Sequence, residues 1–469
     1  MNHLSVIRFT AFLGICLSAA MFLMVLVALA NGEGAQAIAF VAGALITAAI
    51  SSAIFAWTDK PKSPARVNDA LAVVIMWCLL APIPAAIPFF IGTPETSFVV
   101  AIHEAASCLT TTGHSVINLG DSGWPASLLV WRGVLHLFGL MFSLVTTASV
   151  FAAIGSAGPG VHRSVLFTIP DASFFESTPR VARLVAAFSA GLILILFSLL
   201  VIAGMTGVQA LERAISIAST GLVDPRQSAG LAPGWLQSLI MFVGLFFATA
   251  GMYVMMDLTP SRIRNITFDP ELTALGALIV FIAILAYVAG LTLFGSVGWA
   301  LSALSTSGVP IWVDRPTALA TVPIALIILP TMIGGAALST AGGIKLARII
   351  ILVRRAGQEF ARLGYQRSIV ALRYRNRHQK ERAVLGVWVY LIAYLGAATA
   401  IFIMLSLQGD DFTAAFTNAV GAISNSGWII SVLPTATITE HFVLIGAMIL
   451  GRLEVIALLP ALSPAFWRK

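Results

Sequence analysis

Apolar segments long enough to cross a lipid bilayer recur along almost the whole chain. The first two cover Val6–Leu29 and Ala37–Trp57, and others follow at intervals as far as Leu459. A spanning helix needs about 20 mostly apolar residues, and one cleaved signal peptide cannot explain a pattern that repeats. Because 59% of the 469 residues are hydrophobic and only 10% are charged, we predict an all-α polytopic membrane protein.

Four short polar stretches interrupt this apolar chain, and each lies between two hydrophobic segments. Irregular backbone at membrane depth is tolerated only where protein buries it or where it lines a wet cavity. One such stretch would indicate a helix cap or a turn, but four copies favour a single pore in which backbone carbonyls bind a cation. We define loop 1 as Thr110–Gly113, loop 2 as Ser219–Gly221, loop 3 as Ser305–Gly308 and loop 4 as Ser424–Gly427. The predicted ion-binding residues are Thr110, Thr111, Thr112, Gly113, Ser219, Thr220, Gly221, Thr306, Ser307, Gly308, Asn425, Ser426 and Gly427.

The segments before the loops are too short to span a bilayer and are predicted to be re-entrant pore helices. A helix that stops halfway directs the negative end of its dipole toward the pore centre, where it favours a desolvated cation. The predicted pore helices are Phe98–Leu109, Ala210–Ile217, Gly298–Leu304 and Phe412–Ile423.

The order of elements repeats loosely as helix, pore helix, glycine loop and helix. We therefore divide the chain into two extra N-terminal helices and four pore units around one central pore. The predicted boundaries are 1–68 for the extra helices, 69–163 for unit 1, 164–264 for unit 2, 265–383 for unit 3 and 384–469 for unit 4.

Lys and Arg residues predict the orientation in the membrane. Basic residues follow the second helix and each of the first three units, and the densest run is Arg354–Arg382. The connections next to the glycine loops are acidic instead. The positive-inside rule then places both termini in the cytoplasm and the loops at the outer side. The net charge of +7 is assigned to this cytoplasmic face, and we expect no nucleic-acid partner.

Glycine-rich sequence predicts a break in the second helix of unit 3. Gly334, Gly335, Gly342 and Gly343 each destabilise a helix by about 1 kcal/mol relative to alanine, and Ser339–Thr340 offers competing hydrogen bonds. We predict a flexible intramembrane segment that gates the pore. The alternative is close packing of small residues between helices.

Three motifs resemble the Trk/Ktr/HKT superfamily of potassium transporter membrane subunits. His103–Gly113 resembles the family's first pore helix and filter, and Gly334–Gly335 with Ser339–Lys345 and Arg348 is similar to its broken third-unit helix. Gly451–Glu454 resembles its last inner helix, and the two extra N-terminal helices match the Trk-like branch.

The resemblance implies potassium uptake across the cell inner membrane through a channel-like pore, with potassium as substrate and no covalently bound cofactor. It also implies a homodimer and a cytosolic nucleotide-binding regulatory subunit, for which Arg354–Arg382 is a docking candidate, although such a run is most often a solvated or headgroup-facing loop. Arg452 is implied to reach toward the pore below the filter, with an ion pair to Glu454 as the alternative. The implied gate residues are Gly334, Gly335, Ser339, Thr340, Gly342, Gly343, Lys345 and Arg452.

Some residues near the loops differ from the family pattern. Leu222 and Trp428 are bulky enough to narrow the pore mouth, and His114 would make transport pH-sensitive if it titrates, or would be silent if it faces solvent. A glycine in every loop favours potassium over sodium, since family members that favour sodium often carry Ser in the first filter.

Two other functions fit parts of the sequence. An ion-coupled secondary transporter would carry broken helices in two matching halves, whereas the units here number four. An intramembrane enzyme could use His136, Glu212 and Arg213, but no nucleophile–base pair is specified, and we predict that the protein is not an enzyme.

Overall fold

The computed structural model describes most of the chain. The described residues are 3–58, 67–117, 119, 123–153, 174–224, 233–251, 269–313, 315–364, 373–374, 377–378, 381–431 and 436–453. Glu454 and much of the basic connections at 59–66, 154–173, 252–268 and 365–372 lie outside them.

The first two helices form an antiparallel pair beside unit 1. They cover His3–Ala30 and Gly34–Trp57, and Ser18 Oγ donates to the Ala44 carbonyl across the pair at 3.2 Å. A Cβ at Gly14 would overlap the Ser51 side chain, so glycine here permits close approach of the two helices.

Each unit contains an outer helix, a pore helix, a loop and an inner helix, as expected. The outer helices are Val67–Leu80 continued by Pro82–Gly92, Phe174–Ile202, Pro270–Val288 and Glu381–Ser406. Pore helices 1 to 4 are Phe98–Leu109, Gly207–Ser219, Leu293–Leu304 and Phe412–Ile423. The inner helices are Ala126–Ala153, Trp235–Ala250, the divided third helix at Arg315–Thr321, Ala325–Ile333 and Leu346–Gly364, and Ile438–Arg452.

Every pore helix begins at a side-chain N-cap. The side chain of each cap accepts a hydrogen bond from the backbone N–H three residues later, at 3.1–3.5 Å. The caps are Ser97, Thr206, Thr292 and Asp411. Such a cap satisfies a donor that the helix leaves open. The four re-entrant helices therefore start in the same way despite unlike sequences.

Several predicted boundaries need correction. Pore helices 2 and 3 begin earlier than predicted because the caps Thr206 and Thr292 define their starts. The outer helix of unit 1 is interrupted at Ala81, before Pro82. The inner helix of unit 3 runs on to Gly364, so the first part of the predicted basic loop is helical. A short antiparallel hairpin pairs Arg373–Tyr374 with Arg377–His378.

The fold is that of a multi-pass membrane protein. Seven helices among the described residues are long and apolar enough to cross a membrane. Three of the four pore helices are shorter apolar helices of the kind expected not to span, namely Phe98–Leu109, Leu293–Leu304 and Phe412–Ile423. The all-helical membrane fold class is confirmed, with the small hairpin as its described β-structure.

Candidate cation-binding loops

The four loops are buried, and contacts join loop 1 to loops 2 and 4 and loop 4 to loop 3. Between loops 4 and 1, Gly427 N–H donates to the Thr112 carbonyl at 2.9 Å. Between loops 4 and 3, Ser426 Oγ donates to the Thr306 carbonyl at 3.2 Å. Loops 1 and 2 are also in contact, because a Cβ at Gly221 would overlap the carbonyl of Thr111.

A left-handed residue occupies the second position of every loop. Thr111, Thr220, Thr306 and Asn425 have φ values of 55°, 52°, 60° and 50°, a region that non-glycine residues seldom adopt. The N–H of each donates to the carbonyl three residues earlier, at 3.0–3.2 Å. Strained backbone of this kind persists where surrounding structure enforces it, and it clusters at ligand sites.

The hydrogen bonds also correct the alignment of loop 2. Gly221 N–H donates to the carbonyl five residues earlier, as do Thr112 and Ser426 in loops 1 and 4. Gly221 therefore corresponds to Thr112, and Leu222 occupies the position of Gly113. Glycine is consequently present at the position of Gly113 in three units, whereas the sequence interpretation aligns Gly221 with the other loop glycines.

Glycines allow the loops to approach one another at van der Waals limits. Gly113, with φ of 77°, lies against the backbone of Leu222, and Gly427 lies against the backbone of His114. Gly139 on the first inner helix lies against the Leu109 carbonyl, so this helix packs directly on loop 1. A side chain at these positions would separate the segments.

His114 belongs to a buried histidine cluster, so the interpretation of a solvent-facing residue is wrong. Its ring centroid is 5.6 Å from that of His103, and only 7% of the residue is exposed. His441, on the last inner helix, places its Nδ1 3.3 Å from Nδ1 of His103. Ser107 Oγ donates to the His114 carbonyl at 2.7 Å and so fixes the chain where it leaves loop 1.

The predicted break in the third inner helix is present. The helix stops at Ile333 and resumes at Leu346, and we call residues 334–345 the broken segment. Its two ends are paired, since Ile344 N–H donates to the Met332 carbonyl at 2.8 Å. Gly334 and Gly343 have φ values of 75° and 79°, which accounts for glycine at both turns.

The broken segment contacts three of the four loops. Thr220 Oγ1 donates to Thr340 Oγ1 at 3.1 Å, and Gly342 N–H donates to Thr306 Oγ1 at 3.0 Å. A Cβ at Gly342 would overlap the Ser424 carbonyl. The segment therefore lies directly against loops 2, 3 and 4.

Two basic side chains bind carbonyls of the broken segment. Arg452 Nη1 donates to the Thr340 carbonyl at 2.7 Å. Lys345 Nζ donates to the Ser339 carbonyl at 3.0 Å and also to the Ala341 carbonyl. Both positive charges thus bind backbone carbonyls within residues 339–341 of the broken segment.

A buried ion pair supports loops 1 and 2, whereas a pair of indole rings lies next to loops 3 and 4. Arg132 on the first inner helix pairs with Glu104 of pore helix 1, and both side chains are fully buried. On the other side, the rings of Trp299 and Trp428 are in edge-to-face contact at 5.1 Å, and Gly308 lies against Trp428. Leu222 and Trp428 pack in one hydrophobic cluster with Trp299, so their bulk fills space between units.

Sequence reasoning missed Arg132 and the four helix caps. An arginine inside an apolar helix is a usable signal, because intramembrane charges are rare and commonly functional. The caps also had a signal, namely Ser, Thr or Asp just before each short apolar helix. Of the residues considered for an enzyme, His136 lies near a hydroxyl group, with its Nδ1 3.4 Å from Ser219 Oγ. The Ser219 hydroxyl, however, donates to the Ile215 carbonyl at 2.7 Å.

Known proteins share both the sequence pattern and the fold. A model of the TrkH family, described as a cation transport protein, matches residues 316–468. Over the full length of both chains, the sequence is 27% identical to the Trk system potassium uptake protein TrkH of Salmonella typhimurium. It is also 27% identical to the Trk system potassium uptake protein TrkG of Escherichia coli, over 88% of each chain. The resemblance to the Trk family is confirmed.

The fold comparison extends the Trk likeness to every unit. The crystal structure of the potassium transporter TrkH from Vibrio parahaemolyticus superposes with a TM-score of 0.87, covers 100% of both chains and is 23% identical. This Trk-like chain therefore has the TrkH fold throughout, including the two N-terminal helices. The relatives named here are transport proteins, which favours the transporter interpretation over the enzyme.

Proposed function

We propose that this Trk-like chain takes up potassium ions across the cell inner membrane through one passage lined by loops 1 to 4. The observation that carries the proposal is the shared backbone geometry of the four loops, each of which has a buried, left-handed second residue. In such a site peptide carbonyls replace the hydration shell of an alkali ion. The pore helices end at the loops and direct their negative ends toward the ion.

Flux measurements on the purified chain test this proposal. In liposomes that contain only the chain, we expect potassium uptake along its own gradient, with rubidium as the best competitor and sodium as a poor one. Uptake that needs a proton or sodium gradient would instead favour the ion-coupled transporter. Absence of any cation flux from folded protein would refute the proposal.

The broken segment is proposed to be the gate. It is supported by the contacts of Thr340 with loop 2, at 3.1 Å, and with the Ala218 carbonyl, at 3.2 Å. Arg452 adds a positive charge bound to the same residue. Because Thr340→Val removes both hydroxyl contacts and Arg452→Gln removes the charge, each variant should raise basal flux. Thr399→Val, which changes an exposed hydroxyl on the last outer helix, is the control.

The helix Leu346–Gly364 is proposed to link a cytosolic nucleotide-binding regulator to this gate, within a homodimer whose termini are cytoplasmic. The helix begins at the end of the broken segment, carries Arg354 and Arg355, and exposes Phe360 and Leu363. Movement of a partner bound to this helix would be transmitted directly to the gate. Reversing both arginines to glutamate should abolish nucleotide-dependent control and leave basal flux unchanged; normal control in that variant would exclude this docking site.

A further inference from the structure

The buried ion pair between Glu104 and Arg132 joins pore helix 1 to the first inner helix. Both side chains have no solvent exposure. Taking two charges out of water carries a large desolvation cost, and apolar residues of similar volume often stabilise a protein as well or better. A stabilising role alone is therefore a weak explanation for a pair at this place.

The Arg132 guanidinium binds the chain where it leaves loops 1 and 2. Its Nε donates to the Val223 carbonyl at 2.6 Å, and its Nη2 lies 3.3 Å from the Leu222 carbonyl and 3.4 Å from the Gly113 carbonyl. A guanidinium presents five donors in a rigid plane, so it holds several acceptors in a fixed arrangement. One side chain thus sets the separation of two neighbouring loops.

The Glu104 carboxylate binds the chain just after loop 1 and is the paired counter-charge of Arg132. Its Oε2 accepts from Val116 N–H and from Ser115 Oγ, both at 3.1 Å. The guanidinium lies within hydrogen-bond reach of a loop carbonyl. Without the carboxylate beside it, its positive charge would repel an approaching cation. The pair therefore offers fixed geometry without a net positive charge.

We propose that Glu104 and Arg132 are positioning residues for ion selectivity. Arg132 fixes the spacing between loops 1 and 2, on which discrimination between potassium and sodium depends, and Glu104 cancels its charge so that potassium still enters. This inference rests on the proposed potassium flux. The proposal assigns the loop geometry to Arg132 and the charge compensation to Glu104, so separate variants test the two effects.

Three variants and one control test the pair in liposome flux assays with potassium and sodium. Arg132→Lys keeps the charge but loses the planar fork, so the potassium-to-sodium uptake ratio should fall on the order of tenfold. Glu104→Gln removes the paired carboxylate and, among the described residues, leaves only the Asp224 charge acting on the guanidinium, so it should raise the KM for potassium on the order of tenfold. The double variant Glu104→Gln/Arg132→Met should restore the KM and keep the low ratio. Arg8→Gln removes an arginine that binds the Phe55 carbonyl far from the loops and should change neither value.

The outcomes distinguish positioning from simple packing. If Arg132→Lys and the double variant keep the wild-type ratio and show only a lower melting temperature, the pair is structural and the inference is wrong. If the single variants do not fold, the double variant removes both members of the pair and its ratio decides alone. If the wild-type chain carries no cation flux, the proposed function fails first and this inference falls with it.

Discussion

Loops 1 and 2 are joined by an ion pair, whereas loops 3 and 4 are joined by two indole rings. The difference arises at one equivalent helix position, six residues before the first residue of each loop, where pore helix 1 carries Glu104 and pore helix 3 carries Trp299. Arg132 completes the first junction and Trp428 the second. Both junctions nevertheless support the same left-handed loop geometry. The comparison teaches that the loop backbone is the common element and that its support can be either ionic or apolar.

The two junctions should respond differently to mutation. A buried charge is stabilised mainly by its paired counter-charge, so removing that partner leaves a strongly unfavourable group behind. Indole rings contact many neighbours, and the described N–H groups of Trp299 and Trp428 have no hydrogen-bond acceptor. Their contribution is therefore mostly packing, which is lost in proportion to the volume removed.

The largest expected effect is on stability at the ionic junction. Arg132→Met leaves the Glu104 carboxylate buried without its counter-charge and should lower the free energy of unfolding by about 3–5 kcal/mol. The double variant Arg132→Met/Glu104→Leu should recover most of this loss. Unfolding in mixed micelles, followed by tryptophan fluorescence, measures both. Equal losses in the single and double variants would show that the pair behaves like ordinary packing.

The apolar junction should give a smaller and nearly additive loss. Trp299→Leu and Trp428→Leu each remove ring volume from the core and should lower the free energy of unfolding by about 2 kcal/mol. In the double variant the coupling between the rings should be about 1 kcal/mol. The same unfolding assay applies. Recovery of stability in the double variant, as expected for the ionic junction, would contradict the distinction drawn between the two.

Much of the fold follows from the spacing of apolar segments in the sequence and from the positions of its glycines. The apolar pattern predicts pore helices 1 and 4 with the bounds that the structure has, and the break in the third inner helix follows from four glycines within residues 334–343. The predicted starts of pore helices 2 and 3 are wrong because that prediction does not use the caps Thr206 and Thr292, which define where the two helices begin.

Contacts between units could not be read from the sequence. Matching loop 2 to the other loops by its glycine gives an alignment that is wrong by one residue, because the hydrogen bond of the Gly221 N–H makes Gly221 equivalent to Thr112. The partnership of Arg132 with Glu104 joins two elements that no local pattern connects. The burial of His114 likewise depends on contacts across the fold, since it lies beside His103, which His441 of the last unit also contacts.

Substitution of Gly113 separates backbone strain from loss of the close contact between loops 1 and 2. Gly113→Ser places a side chain at a φ of 77° and against the backbone of Leu222, so it should strain the backbone by about 1–2 kcal/mol and lower potassium preference. Gly123→Ser is a matched control, since Gly123 has a φ of 70° and a Cβ added there would meet no atom within 4 Å. Potassium-to-sodium uptake ratios in liposomes compare the two. An unchanged ratio in Gly113→Ser would count against the assignment of loop 1.

The smallest expected effect is at a neutral hydrogen bond that supports loop 4 from the last outer helix. Tyr394 is buried, and its hydroxyl is 2.8 Å from Ser424 Oγ. Tyr394→Phe leaves the ring in place and removes one hydrogen bond, so the free energy of unfolding should fall by about 1 kcal/mol. Since no charge is exposed by this change, the potassium-to-sodium ratio should stay near that of the wild type, unlike the ratio in Arg132→Lys. A large loss of selectivity in Tyr394→Phe would mean that any weakening of loop support, ionic or neutral, disturbs ion discrimination equally.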